Sequence, residues 1–167
     1  MIPLTPEHVQ ATLDTFNLGL SVTHYDQTTH TSEDAAAAIG CRLGQIAKSM
    51  CLIAAGEPVL VVAAGDRRLS DAKLARYLAV GRKKVKIATP AQCLELFGYP
   101  PGGVSPVGHR TAGLRILIDE SLDRWERIHA AAGTSNDNFA LTFEQLLEIT
   151  AGEVLDCTEE LKGERMT

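Results

Sequence analysis

Residues 45–66, QIAKSMCLIAAGEPVLVVAAGD, contain two apolar runs separated only by GEP. Such runs predict two central β-strands joined by a tight turn, covered on both faces by the rest of the chain. In the first run Ile46, Lys48, Met50 and Leu52 alternate with Ala47, Ser49, Cys51 and Ile53. Successive strand residues face opposite ways, so Lys48 is the one charge on a strand whose two faces are otherwise apolar or small.

The flanking segments supply the covers. TPEHVQATLDTFNLG (5–19) predicts an N-terminal helix, with Thr5 as N-cap, Pro6 at the first helical position and Gly19 beyond the end. LSVTHYD follows as a short strand, and TSEDAAAAIG (31–40) predicts a helix with Thr31 and Asp34 in capping-box spacing and Gly40 as its stop. Beyond the hairpin come a helix at SDAKLARYLAVG capped by Ser70, a strand at KKVKIAT, and a helix at TPAQCLELFG with Thr89, Pro90 and Gln92 at its start. The remainder predicts strands at GLRILIDESL and RWERIHAAAG, a polar turn TSNDN, a strand FALT, a helix TFEQLLEITAG and a last strand EVLDC. This irregular mixture, without repeat or linker, predicts a single α/β (α+β) domain over residues 1–167, built on a mixed, partly closed sheet flanked by helices.

Composition narrows the function classes. The longest apolar run, PVLVVAAG, is too short to span a bilayer, and the N-terminus lacks the pattern of a leader, so a cytoplasmic protein is expected. The net charge of −5 argues against wholesale coating of nucleic acid, DNA included, yet eight of the sixteen basic residues fall between Arg67 and Lys86, against the single acid Asp71. The acidic excess gathers in EVLDCTEELKGE. Cys41, Cys51, Cys93 and Cys157 have no metal or disulfide spacing and read as small buried hydrophobes. His24, Asp26 and His30 match no standard ligand spacing, so neither a metal nor another cofactor is expected. Trp125 reads as a packing residue.

The most unusual stretch is GYPPGGVSPVGH (98–109), where seven of twelve residues are Gly or Pro. Proline fixes φ and donates no backbone hydrogen bond, and glycine allows close approach, so the loop is stiff and presents bare amides. Preorganised amides can hold a carbonyl oxygen or an oxyanion; a plain turn between helix and strand is the simpler reading. His109, directly after the loop, is a candidate general base or a surface residue capping the next strand.

Taken together, IAKSMCLIA, PPGGVSPVGH and the downstream AAAGTSN resemble the YbaK/EbsC family of aminoacyl-tRNA deacylases, also called the prolyl-tRNA synthetase-associated editing domain. The resemblance runs from about Leu18 to Cys157 with the motifs in the same order. It implies hydrolysis of the ester that joins a wrong amino acid to the 3′ end of tRNA, a small one such as Ala or Cys on the tRNA for proline. It also implies Lys48 as the functional lysine, anchoring the terminal adenosine or polarising the ester. Gly102, Gly103, Val104 and Ser105 would offer amides to the acyl carbonyl, Gly108 would allow close approach, and Tyr25 would stand beside the pocket. Ala131 and Gly133 would line the far wall. The chain departs from the family pattern at Ala131, where a small hydroxyl residue is usual, and at Asn138, where an acid is; the loss of a donor at Ala131 weighs against a cysteine-specific member.

The chemistry agrees with the residues. An aminoacyl ester is already activated, so positioning of water or a substrate group and stabilisation of the oxyanion suffice, without a strong nucleophile. Synthetases discriminate poorly between small side chains, which is why a second sieve is useful. Arg82, Lys83 and Lys84 are the candidate tRNA-phosphate contacts, and a synthetase is a candidate partner. Two other classes fit the same residues: a non-catalytic tRNA- or synthetase-binding module, and a small-molecule esterase.

Overall fold

The computed structural model describes residues 1–161; Lys162, Gly163 and Glu164, the end of the acidic stretch noted above, lie outside them. In chain order the elements are α1 (Pro6–Asp14), β1 (Val22–His24), α2 (Ser32–Ile39), β2 (Ile46–Ala54), β3 (Glu57–Ala64), β4 (Arg67–Leu69), α3 (Asp71–Leu78), β5 (Val85–Ile87), α4 (Pro90–Gln92), β6 (Arg115–Asp119), β7 (Ile128–Ala131), β8 (Asp137–Leu141), α5 (Phe143–Thr150), β9 (Glu153–Leu155) and β10 (Thr158–Glu160).

The hairpin β2–β3 forms the centre of a mixed sheet ordered β1-β8-β7-β2-β3-β6-β9, with helices on its faces. Its turn is Ala55–Gly56, with φ of 49° and 85°, so Glu57 and Pro58 belong to β3 rather than to the turn. Two successive positive φ values match the twist of antiparallel strands. The edge of β2 is shared: Ile46 and Ala47 pair in parallel with β7, and Leu52–Ala54 pair antiparallel with β5.

Helix starts follow the local chemistry. Thr31 Oγ1 accepts from Asp34 N at 3.0 Å, Ser70 Oγ accepts from Lys73 N at 3.2 Å, and Thr89 and Gln92 cap reciprocally at 3.1 and 2.9 Å. Helix ends are less local. α1 stops at Asp14, five residues before Gly19, because Asn17 takes φ 56° and turns the chain toward β1. α4 widens after one turn into a π-turn over Cys93–Phe97, closed by Gly98 N donating to Cys93 O at 2.9 Å. The expected strand GLRILIDESL holds only through Asp119 before a 3₁₀ turn, and RWERIHAAAG is extended only from Ile128 to Ala131.

Each sheet face has its own cover. Ala47, Cys51, Leu60 and Val62 pack with Val9 and Leu13 of α1, Phe97, Tyr99 and Phe139. On the other face Ile46 packs under Ala35 and Ala36 of α2, while Leu52 and Val61 pack with Leu74 and Ala75 of α3. Lys48 shares the Ile46–Leu52 face by alternation, and so falls between the two covering helices. Cys51, Cys93 and Cys157 are buried thiols and Cys41 is half-buried. No helix of the described residues is long and apolar enough to cross a membrane.

Strands β4 and β10 have no apolar signature. They pair antiparallel, Arg68 opposite Glu159, joined by a salt bridge. The pair is anchored by Asp119, 1% exposed, which accepts from Cys157 N at 2.9 Å, Thr158 Oγ1 at 3.0 Å and Ser121 N at 3.2 Å. Burial opposes ionisation of Asp119, but the hydrogen bond from the Ser121 hydroxyl, together with these three, outweighs it and holds its pKa below the ordinary carboxylate value. A depressed folded pKa gives stability that is present above the unfolded pKa and lost as pH falls through the folded one. Asp119→Ala leaves the Cys157 amide buried without an acceptor, and the expected loss is about 3 kcal/mol at pH 7, read by urea denaturation. The difference from the parent protein should narrow below about pH 4; a constant difference across pH 3–7 would exclude the charged carboxylate as its source.

Candidate functional site

The Gly/Pro loop is shaped by its own residues. Pro100 O accepts from Gly103 N at 3.0 Å, with Pro101 and Gly102 between them and Gly102 at φ 88°. Proline followed by a positive-φ glycine is the pattern of a type II turn. Gly103 O in turn accepts from Gly133 N at 2.9 Å, which straps the loop across the end of β7. Behind the strap the segment wraps on itself: Tyr99, fully buried, donates its hydroxyl to Val107 O at 2.7 Å, and His109 Nε2 lies 2.7 Å from Ser105 O.

His109 stands edge-on to Phe97 and Tyr99, with ring centroids 6.3 and 6.0 Å away. Burial lowers its pKa to about 4, so the ring is neutral and donates Nε2–H to the Ser105 carbonyl. The structure gives His109 a part in holding the loop.

In front of the strap lies a cavity of about 160 Å³. Its wall combines Lys48 and Met50 of β2, Gly102 and Val104 of the loop, Ala131 of β7, Asn138 of β8 and the chain entering α2 from Thr29 to Ser32. Lys48 Nζ donates to Arg67 O at 3.1 Å, which fixes the ammonium and leaves its other N–H groups for the cavity. Burial lowers the Lys48 pKa, partly countered by the carboxylates of Glu33 and Asp66. Among the described residues the amides of Gly102 and Val104 donate to no protein acceptor, whereas that of Gly103 is engaged in the turn.

The candidate residues thus separate by position. Lys48, Gly102, Val104 and Ala131 meet in the cavity. Gly103 and Gly133 form the strap behind it, Ser105 is fully buried, and Gly108 (φ 77°) lies against His8 of α1. Tyr25 lines a neighbouring groove that shares only Asn138 with the cavity. Arg82, Lys83 and Lys84 form an exposed 3₁₀ turn leading into β5, beside Ala54 at the other end of β2. Six residues of extended strand put them roughly 20 Å from Lys48. The basic segment is itself divided: Arg68 pairs with Glu159 and Lys73 with Asp156, while Arg82, Lys83, Lys84 and Lys86 make no ion pair among the described residues.

His24 Nδ1 is 3.0 Å from Asp137 Oδ1 and His30 faces the cavity. Among the described residues no group of three or more His, Cys, Asp or Glu is placed to hold a metal ion. Trp125 packs against the main core. Several wall residues carry no signal in the sequence. Ser49 Oγ is buried without a partner among the described residues, and Thr29 Oγ1 accepts from Asn138 Nδ2 at 2.9 Å while donating to Ser135 O at 2.8 Å. His30 sits against Gly102, where an added Cβ would come 2.3 Å from its Nδ1.

The model of the family described as "Aminoacyl-tRNA editing domain" matches residues 26–149. The chain belongs to this family. A Bacillus subtilis (strain 168) protein, "Uncharacterized protein YwhH", is 33% identical over 134 residues, covering 80% of this chain and 83% of that one. A "Proline--tRNA ligase" of Nitratidesulfovibrio vulgaris (strain DP4) is 37% identical over 94 residues, which is 56% of this chain but only 16% of the ligase. The solved structure of "a putative trans-editing enzyme for prolyl tRNA synthetase" superposes with TM-score 0.86 at 34% identity, covering 95% of this chain and 99% of the other. Fold and family agree with the resemblance drawn from the motifs.

Proposed function

We propose that this protein is an aminoacyl-tRNA deacylase that acts in the cytoplasm on mischarged tRNA, removing a small amino acid such as Ala or Cys from the tRNA for proline. The observation that carries the reading is the meeting of Lys48, the Gly102–Val104 segment and Ala131 around one cavity of about 160 Å³. A space of that size suits a short aliphatic acyl group. Water attacks the ester carbonyl, a C–O bond forms and the carbonyl oxygen gains negative charge. The free amides of Gly102 and Val104 and the Lys48 ammonium are the donors for that oxyanion. Collapse breaks the ester bond, and the ribose oxygen leaves with a proton, giving free amino acid and deacylated tRNA. The methyl of Ala131 adds no hydrogen bond to the acyl side chain, which favours alanine over cysteine as the residue removed.

The test is deacylation of a panel of misacylated tRNAs by the parent protein, with small and bulky amino acids on the tRNA for proline. Release of the small residues only is the expected result. Binding of tRNA without release of any amino acid would instead mark a tRNA- or synthetase-binding module. Hydrolysis of simple esters, indifferent to the tRNA, would mark a small-molecule esterase.

The exposed basic cluster Arg82, Lys83, Lys84 and Lys86 is where tRNA phosphates are expected to lie. Reversing Arg82, Lys83 and Lys84 to glutamate should weaken tRNA binding at least about tenfold at moderate salt and lower the salt slope by about three. Stability should change little, since the three residues are exposed and make no ion pair among the described residues. Unchanged binding would remove this patch from the interface.

A further inference from the structure

Hydrolysis of an ester moves a proton twice: the attacking water loses one and the departing ribose oxygen gains one. The Lys48 ammonium and the loop amides are donors, so neither can take the proton of the water. The other polar groups around the cavity are few. Thr29 Oγ1 is engaged by Asn138 Nδ2 and Ser135 O, and Thr31 Oγ1 accepts from Asp34 N as the cap of α2. Ser32 and Ser49 carry alcohols, which are poor bases. His30 is the one titratable residue of the lining besides Lys48. It is exposed, and its ring nitrogens make no hydrogen bond among the described residues, whereas rings of His8, His24 and His109 lie 2.9, 3.0 and 2.7 Å from a protein oxygen. Its backbone is held. Thr29 N and Oγ1 donate to Ser135 O at 2.6 and 2.8 Å, and His30 N donates to Thr28 Oγ1 at 3.2 Å, which ties the segment to the turn between β7 and β8. The ring fills the space left by the missing side chain of Gly102, where a Cβ would come 2.3, 2.7 and 3.2 Å from its Nδ1, Cε1 and Cγ. An unengaged imidazole therefore stands beside an amide donor for the oxyanion and open to solvent.

We propose that His30 is the proton carrier of the deacylation, taking a proton from the attacking water and returning it to the ribose oxygen. Imidazole is the side chain suited to do both near neutral pH. As a lone pair of the water oxygen forms the bond to the ester carbon, the carbonyl π pair moves onto the carbonyl oxygen and the water proton passes to the unprotonated ring nitrogen. In the second step that pair re-forms the carbonyl and the bond from carbon to the ribose oxygen breaks. The imidazolium then gives its proton to the ribose oxygen, leaving free amino acid, deacylated tRNA and neutral His30. Lys48 is the only other charged group in the lining, and the carboxylates that act on it are Glu33 and Asp66. The active form thus has Lys48 protonated and His30 neutral. The inference rests on the editing reading and supplies its proton path.

With misacylated tRNA, His30→Ala should lower kcat about 100-fold and leave KM within about twofold. The kcat of the parent protein should fall on the acid side as His30 is protonated, and that limb should vanish in His30→Ala. Imidazole added to the buffer should restore part of the His30→Ala rate and leave the parent rate unchanged. His30→Phe keeps a ring against Gly102 but carries no proton, so it should be as slow as His30→Ala. Because His30 is exposed and its ring makes no hydrogen bond among the described residues, urea denaturation of both variants should match the parent. Parent-like kcat in His30→Ala or His30→Phe would overturn the proton-carrier role. So would a slow His30→Ala that keeps the acid limb and ignores imidazole, since it would reduce His30 to a support for Gly102. In these cases the parent protein still releases the amino acid and the editing reading stands. A parent protein that releases no amino acid from any tRNA would overturn both.

Discussion

Lys48→Ala is expected to lower kcat/KM for a misacylated tRNA by about 100- to 1,000-fold, the usual consequence of removing one donor to a developing oxyanion. The ammonium is fixed by Arg67 O, so it needs little reorganisation during the reaction and acts at a defined place on the cavity wall. The fall should appear mainly in kcat, because the basic turn and the rest of the wall are unchanged. Lys48→Arg should not restore activity, since a planar fork is larger and oriented differently within about 160 Å³. The pH profile provides a second reading. Because burial lowers the pKa of Lys48, the ammonium is lost below the ordinary lysine value of 10.5, and activity should decline on the alkaline side earlier than an exposed lysine would dictate. Activity within threefold of the parent in a folded Lys48→Ala protein would remove Lys48 from the chemistry.

Gly103→Ala is expected to damage fold and activity together. A Cβ on Gly103 would stand 2.8 Å from Gly133 O and from Thr134 Cα, both backbone atoms held by the strap, so the loop rather than a side chain must move. Overpacking of this kind typically costs about 1–3 kcal/mol, and a shift of about 1 Å in the loop amides is enough for a 100-fold loss of kcat. Gly102→Ala offers an instructive contrast. The three atoms nearest its added Cβ all belong to the imidazole of His30, which can swing aside, although the residue would retain a strained φ of 88°. Pairing Gly102→Ala with His30→Ala should therefore recover part of the lost stability, whereas no single side-chain truncation should rescue Gly103→Ala. Chemical denaturation of these variants and of His30→Ala alone, alongside deacylation rates, tests both statements. Parent-like stability in Gly103→Ala would show that the strap is not tight.

The helix starts at Thr31, Ser70 and Thr89 were legible because a cap is a contact between residues three apart, present in the sequence before any tertiary structure forms. The hairpin β2–β3 was legible for a similar reason, since two long apolar runs with a short break have few other ways to bury themselves. Its turn was displaced by one residue, to Ala55–Gly56, because a positive φ at an alanine has no signature. β4 and β10 were missed altogether. Their pairing depends on Arg68 meeting Glu159 and on Asp119 holding Cys157 and Thr158, residues far apart in sequence whose attraction no local pattern announces.

The candidate site divides along the same line. The sequence by itself determined that a lone lysine stands on a covered strand, that the loop after Gly98 is stiff, and that both belong to the motifs of an editing family. Only the tertiary structure decided that Lys48 emerges between α2 and α3, that Gly133 straps Gly103 so that Gly102 and Val104 face the cavity, and that Asn138 is shared with a polar groove. Capping, turn geometry and strand alternation act within a few residues of the chain. Which strand face stays uncovered, and which loop lies over it, is fixed by burial summed over the whole sheet.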